Sequence, residues 1–303
     1  ARPASGASPV TPQATATELT LEQKIGQLLI VTLSGIYRPT PSDRDLFADL
    51  PPGGVIIPAV QRPVHAAQYI TSLRKLPIEK STGIPMFIAG NVYALMQSDA
   101  LPEQSFMELP SMLSIVAAED TTLTSLALAS PLEESRASGG SFGSDPKRVF
   151  AVGDAFYGAM RAEGILAVAT GFPGGSSNRV DGGRAVLLTP AQHLEERDLA
   201  PFADAVKAGI DVVHIGNTIV PTLDKSLRPA SQSPVVVEGL LRHRLGFKGL
   251  VVAGPIDGAD LSGRQSPGEA AIASLRAGAD MVYMQGSGRK AAKVVLEVHN
   301  AVR

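Results

Sequence analysis

Three aspartates stand where a carboxylate could do chemistry. Asp181 lies in "ATGFPGGSSNRVDGG", Ala169 to Gly183, which follows directly on the apolar run Gly164-Ile165-Leu166-Ala167-Val168. Asp257 and Asp260 lie in "VVAGPIDGADL", three and six residues after Gly254. A strand that ends in a glycine-rich loop is where an α/β enzyme usually keeps its working side chains. A carboxylate placed there can attack an electrophile or move a proton. Against this, the first loop offers no histidine, lysine or cysteine. Aspartate in Gly/Pro-rich sequence is ordinary turn chemistry, so Asp257 and Asp260 are read first as capping or flanking their loop and facing water. His214 falls inside an apolar run and reads as a core or rim residue. His65, His193, His243 and His299 fall on helical patterns and form no metal-ligand cluster, so no metal is expected. "GGSS" could present backbone amides to an anion, but the flanking pattern of a phosphate loop is missing.

The elements that must position these residues follow a regular beat. "TLEQKIGQLL" opens with a Thr20 to Gln23 capping box and predicts a helix. Short apolar runs recur at "LIVTL", "GGVIIP", "IPMFIAG", "LTSLALAS", "ILAVAT", "DVVHIG", "GLVVAG" and "DMVYMQ", most of them followed by helical patterns. Runs that are apolar throughout, rather than alternating, mean strands buried on both faces, as in a parallel sheet. Eight such units predict an α/β fold, a closed (β/α)8 TIM-type barrel spanning residues 19–303. Between the third and fourth strands, "ELPSMLSIVAAEDTTLTS" holds at most a short helix, so the barrel is expected to be incomplete there.

Composition narrows the function classes. The 303 residues carry a net charge of −2, which leaves no basic surplus for nucleic acid. Cysteine is absent, which removes disulfides and thiolate metal sites. Tryptophan is absent and 5% of residues are aromatic, a count against tight sugar binding. No segment approaches the roughly 18 consecutive apolar residues that span a bilayer. Residues 1–18, "ARPASGASPVTPQATATE", are Ala/Pro/Ser/Thr-rich and nearly uncharged, the composition of a disordered tether. They predict an exported chain, periplasmic or in the cell envelope and tethered at a membrane through its N-terminus.

Taken in order, "LTLEQKIGQLL", "SFGSDPKRV", "GFPGG", "DLAPFADAVKAGIDVV", "VPTLD", "PASQS", "LLRHRLGFKGLVV" and "AGADMV" resemble the barrel domain of glycoside hydrolase family 3, its β-N-acetylhexosaminidase branch in particular. The resemblance covers nearly the whole chain after the tether. It implies a nucleophilic aspartate after the seventh strand, where Gly254 and Pro255 stand here. It implies lysine and histidine grips and a histidine acid/base in the fifth-strand loop, where this sequence has Thr170, Gly171 and Gly175. A sugar-binding acid after the third strand falls at Asn91, followed by the apolar Val92, Tyr93, Leu95 and Met96. An arginine before "SFG" falls at Gly140, and a sixth-strand histidine at Asn217. Asp181 matches a family acid whose histidine partner is missing. A retaining glycosidase needs two groups about 5 Å apart, and these positions do not supply them. The expectation is therefore a catalytically inactive barrel with no cofactor and weak or no sugar binding, bound to protein partners in an extracytoplasmic assembly. The alternatives are an active hydrolase of cell-wall amino sugars and a sugar sensor without catalysis.

Overall fold

The computed structural model describes residues 19–35, 38–57, 69–70, 72–73, 84, 86–90, 122–126, 146–162, 166–174, 179–181, 183–286 and 288–303. Eight strands close into a ring: β1 (Leu29–Thr32), β2 (Gly54–Ile57), β3 (Phe87–Gly90), β4 (Thr122–Leu126), β5 (Leu166–Phe172), β8 (Val212–Ile215), β9 (Leu250–Ala253) and β10 (Met281–Met284). Every neighbouring pair in the ring is parallel. The seam pairs the first strand with the last, Leu29 opposite Val282 and Val31 opposite Met284. Outside the ring, β6 (Arg179–Asp181) and β7 (Arg184–Val186) form an antiparallel hairpin in the connection after β5.

Strands such as β2 and β9 are apolar on both faces because each face has its own core. Ile30, Ala89, Val168, Val212, Val252 and Met281 pack on one another inside the ring. Their neighbours in sequence, such as Val31, Ala167, Ala169, Val213, Val251 and Val282, face outward into the layer of helices. Single-residue alternation makes this division, since successive side chains of a strand point to opposite faces. The outer layer includes α1 (Leu21–Gly26), α2 (Pro41–Asp49), α3 (Pro146–Ala162), α4 (Ala200–Lys207), α5 (Pro267–Arg276) and α6 (Arg289–Val302). Tyr69, Ile70, Ser72 and Leu73, the described part of the helix expected after β2, are helical, and Tyr69 and Leu73 are buried.

The helices start where their caps say. The Thr20 hydroxyl accepts from the Gln23 amide at 3.2 Å while the Gln23 side chain accepts from Thr20 N at 2.9 Å. Thr40 with Asp43 and Ser266 with Glu269 repeat the arrangement at α2 and α5. Each cap satisfies donors that the first turn leaves open and is worth about 1 kcal/mol. Two helices read from the sequence are wound more loosely than expected. Leu194–Asp198 and Val235–Arg244 are π-helical, as in the Leu245 amide bonding back to Leu240 O at 2.9 Å. Across the seam α1 packs on α6, where His299 Nε2 lies 3.0 Å from Glu22 Oε1.

The eight strands appear where the apolar runs place them. The hairpin β6–β7 was not anticipated, because its strands are three residues long and one of them ends in Asp181. The expected shortage of helix between β3 and β4 and the tether at residues 1–18 both lie outside the described residues. Among the described residues no helix is long and apolar enough to cross a membrane.

Candidate functional site

In a parallel barrel the loops at the C-terminal ends of the strands form one rim. The best described part of that rim here is built by the loops after β8, β9 and β10. Asn217, two residues past the end of β8, is 7% exposed and ties three segments together. Its Oδ1 accepts from the Ser231 hydroxyl at 2.6 Å. The amide faces this way because the Pro255 carbonyl can only accept and so needs the Nδ2 end. The Nδ2 end then donates to Pro255 O at 2.8 Å and lies 3.4 Å from Asp260 Oδ1.

The two aspartates after Gly254 therefore have different work. Asp257 spends both oxygens on backbone, accepting from Gln285 N at 2.7 Å and Gly286 N at 3.0 Å. It braces the loop after β10 and does not simply face water. Asp260 is half-buried beside Asn217 and its Oδ2 has no hydrogen bond among the described residues. Gly254 sits at φ +144°, and a Cβ there would lie 2.5 Å from Tyr283 O. The backbone at this position excludes any side chain, the nucleophilic aspartate of the resemblance included.

The interior face supplies two further polar groups. His214 follows Val212 on the face that points into the ring and is half-buried. Its Nε2 meets Gly254 O at 3.0 Å, and its ring stands edge-on to Tyr283 with centroids 6.1 Å apart. Burial lowers the histidine's proton affinity more than the Gly254 carbonyl raises it, so its pKa is held below the usual value. Tyr283 is pushed the other way. Burial raises its phenol pKa, the nearby Asp257 charge adds to this, and the Thr32 and Gln285 side chains pull against it. Tyr283, Ser231 and Gln285 were not singled out from the sequence. The one available signal was the period-two placement of Tyr283 after Met281, and a four-residue strand gives too few repeats to rely on.

The remaining expected positions divide. Thr170 and Gly171 lie at the end of β5, where the pairing with β8 shifts register between Thr170 and Phe172. Gly171 is exposed, and Phe172-Pro173-Gly174 turns the chain away from the strand. A Cβ on Gly174 would lie 2.7 Å from Asp198 Cβ, so this part of the "GGSS" stretch is a close packing contact. Asp181 ends β6 opposite Arg184 in the hairpin. Its side chain lies outside what the structure describes. Asn91, Gly140 and Gly175 lie outside the described residues, as do Val92, Tyr93, Leu95 and Met96. His193 and His243 are exposed on the outer layer and His299 is buried against α1. Among the described residues no group of three or more His, Cys, Asp or Glu is placed to hold a metal. A groove between α3 and α4, lined by Phe150, Tyr157 and Ile210 among others, lies on the outer layer, away from the rim.

Comparison with known proteins bears on what such a rim does. The chain is 32% identical over 160 residues to "Beta-hexosaminidase A" of Pseudoalteromonas piscicida, a segment covering 48% of this chain and 26% of that protein. It is 35% identical over 147 residues to "Beta-hexosaminidase" of Xylella fastidiosa, covering 47% of this chain and 43% of the relative. The matched segments thus span less than half of either relative. Among solved structures, the β-N-acetylhexosaminidase from Beutenbergia cavernae superposes with a TM-score of 0.78 over 93% of this chain and 91% of that one, at 24% identity, a likeness of fold. These findings overturn the expectation of an inactive binding or structural subunit, because the relatives above 30% identity are named as beta-hexosaminidases. The physical reason is that counting lost side chains at family positions does not survey the other polar groups of the same loops, such as Asp260 beside Asn217. The description of the glycosyl hydrolase family 3 N-terminal domain matches residues 20–302, and the chain belongs to that family.

Proposed function

We propose that the chain is the barrel of a β-N-acetylhexosaminidase-type hydrolase, acting on O-glycosyl bonds of N-acetylated amino sugars such as those of the cell wall. The observation that carries this reading is the held carboxylate. Asp260 stands on the rim with one oxygen beside the Asn217 amide and the other without a hydrogen bond among the described residues. A glycosidase needs a carboxylate facing the anomeric centre, where positive charge develops, and Asp260 takes that part. Asp257 does not, since both its oxygens are engaged by amides. An extracytoplasmic location belongs to the same proposal and is supported by the composition of residues 1–18. So does an incomplete side of the barrel between β3 and β4, supported by the lack of helical periodicity in "ELPSMLSIVAAEDTTLTS".

A second reading, sugar binding without turnover, is favoured by Gly254. The position that the resemblance gives to the nucleophile is closed to any side chain by Tyr283 O. One experiment separates the two. Release of chromophore from a β-N-acetylglucosaminide is measured for the parent and for Asp260→Asn, with calorimetric binding of N-acetylglucosamine alongside. The hydrolase reading expects turnover by the parent and a loss of about 10²-fold or more in the variant. Binding without turnover supports the second reading. Turnover unchanged in Asp260→Asn removes Asp260 from the chemistry.

A further inference from the structure

The top layer of side chains inside the barrel is unlike the layer beneath it. Val168, Val212, Val252 and Met281 fill the lower layer with hydrocarbon. Two residues further along the same strands come Thr170, His214, Gly254 and Tyr283. Gly254 contributes no side chain, and its carbonyl oxygen meets His214 Nε2 at 3.0 Å. A carbonyl cannot donate, so Nε2 carries the hydrogen, and in the neutral ring the lone pair is left on Nδ1. Among the described residues Nδ1 makes no hydrogen bond, and it is not among the buried polar atoms left without a partner. It is therefore open to whatever fills the mouth. The imidazole is kept in this pose from two sides, by the Gly254 carbonyl just after β9 and by the edge-on ring of Tyr283 of β10. Thr170 of β5 is its partner in register on the remaining side. The nearby carboxylates do not bond it: Asp257 is engaged at Gln285 and Gly286, and Asp260 lies beside Asn217.

We infer that His214 is a specificity-determining residue of the mouth, a fixed neutral acceptor whose Nδ1 receives an N–H or O–H of an uncharged, N-acetylated sugar. The inference rests on the reading that a sugar enters this mouth. The chemical class follows from the lining. A lone pair held beside a phenol accepts from a neutral donor and repels an anion. The low proton affinity conferred by burial keeps the acceptor available at neutral pH. A polar strand residue of this kind costs folding free energy unless its open nitrogen meets water or a ligand.

The test is imidazole-nitrogen NMR of the full chain, titrated with N-acetylglucosamine, together with binding to His214→Phe and His214→Gln. The expected ligand-free ring is the Nε2–H tautomer, and its Nδ1 resonance moves on addition of the sugar. His214→Phe is expected to weaken binding about tenfold, the value of roughly one hydrogen bond, and His214→Gln to recover part of it through its carbonyl oxygen. If the parent binds the sugar while Nδ1 does not move and His214→Phe binds equally, this inference fails and the sugar reading stands. If the parent does not bind the sugar, both fall. If His214→Phe does not fold, the Nδ1 response of the parent decides.

Discussion

Replacing Gly254 by alanine adds one methyl group, yet it should be among the costliest small substitutions in this chain. At φ +144° an L-residue is strained by about 1–3 kcal/mol. The new Cβ would also lie 2.5 Å from Tyr283 O and 3.1 Å from Ile256 N. The carbonyl of Tyr283 cannot retreat freely, because it accepts from the Ile256 amide at 2.8 Å. Loosening that bond forfeits about 0.5–1.5 kcal/mol more. The sum is about 2–4 kcal/mol, which for a domain of this size lowers the melting temperature by about 4–8 °C. Gly246→Ala is the control. It has φ +74° but nothing within 4 Å of its Cβ, so only the backbone term of about 1 kcal/mol remains, or about 2 °C. Thermal unfolding of both variants, followed by circular dichroism, checks the difference. Equal melting temperatures would show that the Gly254 turn relaxes, and the argument that no side chain fits there would be wrong. Gly254→Asp carries the same penalty and is not expected to create a nucleophile.

Two further outcomes follow from buried hydrogen bonds. Ser231→Ala removes the donor that fixes Asn217, leaves a buried amide oxygen unpaired and should cost about 1–3 kcal/mol, read as a shift in the urea midpoint. An unchanged midpoint would mean that water replaces the Ser231 hydroxyl at Asn217 Oδ1 without loss. Asp224 gives a pH signature: burial alone would raise its pKa above 3.8, but hydrogen bonds from Ser226 and Ser233 and the Arg228 charge outweigh this and hold it lower. A depressed folded-state pKa stabilises the fold above the unfolded value and is lost as pH falls through the folded one. The gap in melting temperature between the parent and Asp224→Asn should therefore be constant near neutrality and close below about pH 3.8; a gap that persists in acid would refute the assignment.

The barrel was legible because a doubly buried parallel strand has a signal that needs no alternation. "LIVT", "LVVA" and "MVYM" are apolar nearly throughout, and each became a strand. The capping box at Thr20 was legible for a similar reason, being a local hydrogen-bond pattern written in four residues. The π-helical winding of Val235–Arg244 was not, because an apolar stripe fits either register of a helix. Asp257 and Asp260 were legible as residues of the loop that follows an apolar strand. Asn217 and Asp260 lie side by side, and the Asn217 amide also reaches the Pro255 carbonyl. The roles of the two aspartates were not legible, since Asp257 and Asp260 are three residues apart in one loop and differ only in which distant backbone amides reach them. Nor does sequence show that Tyr283 and His214 face each other across the top of the ring, a meeting made by strands far apart in the chain.

The seam between β1 and β10 has a consequence for how the molecule is made. Thr32 donates its hydroxyl to Met284 O across a separation of 252 residues. Closing a loop of that length costs about 5 kcal/mol of chain entropy on the simplest scaling. During synthesis β1 emerges early and keeps an unpaired edge until β10 follows, so the nascent chain carries two open sheet edges for most of its length. Once the ring is shut, the Glu22–His299 contact holds the first and last helices side by side. The start and the finish of the barrel are then neighbours, and a short linker from α6 to α1 would let the chain be opened at another surface loop while keeping every strand pairing of the native ring.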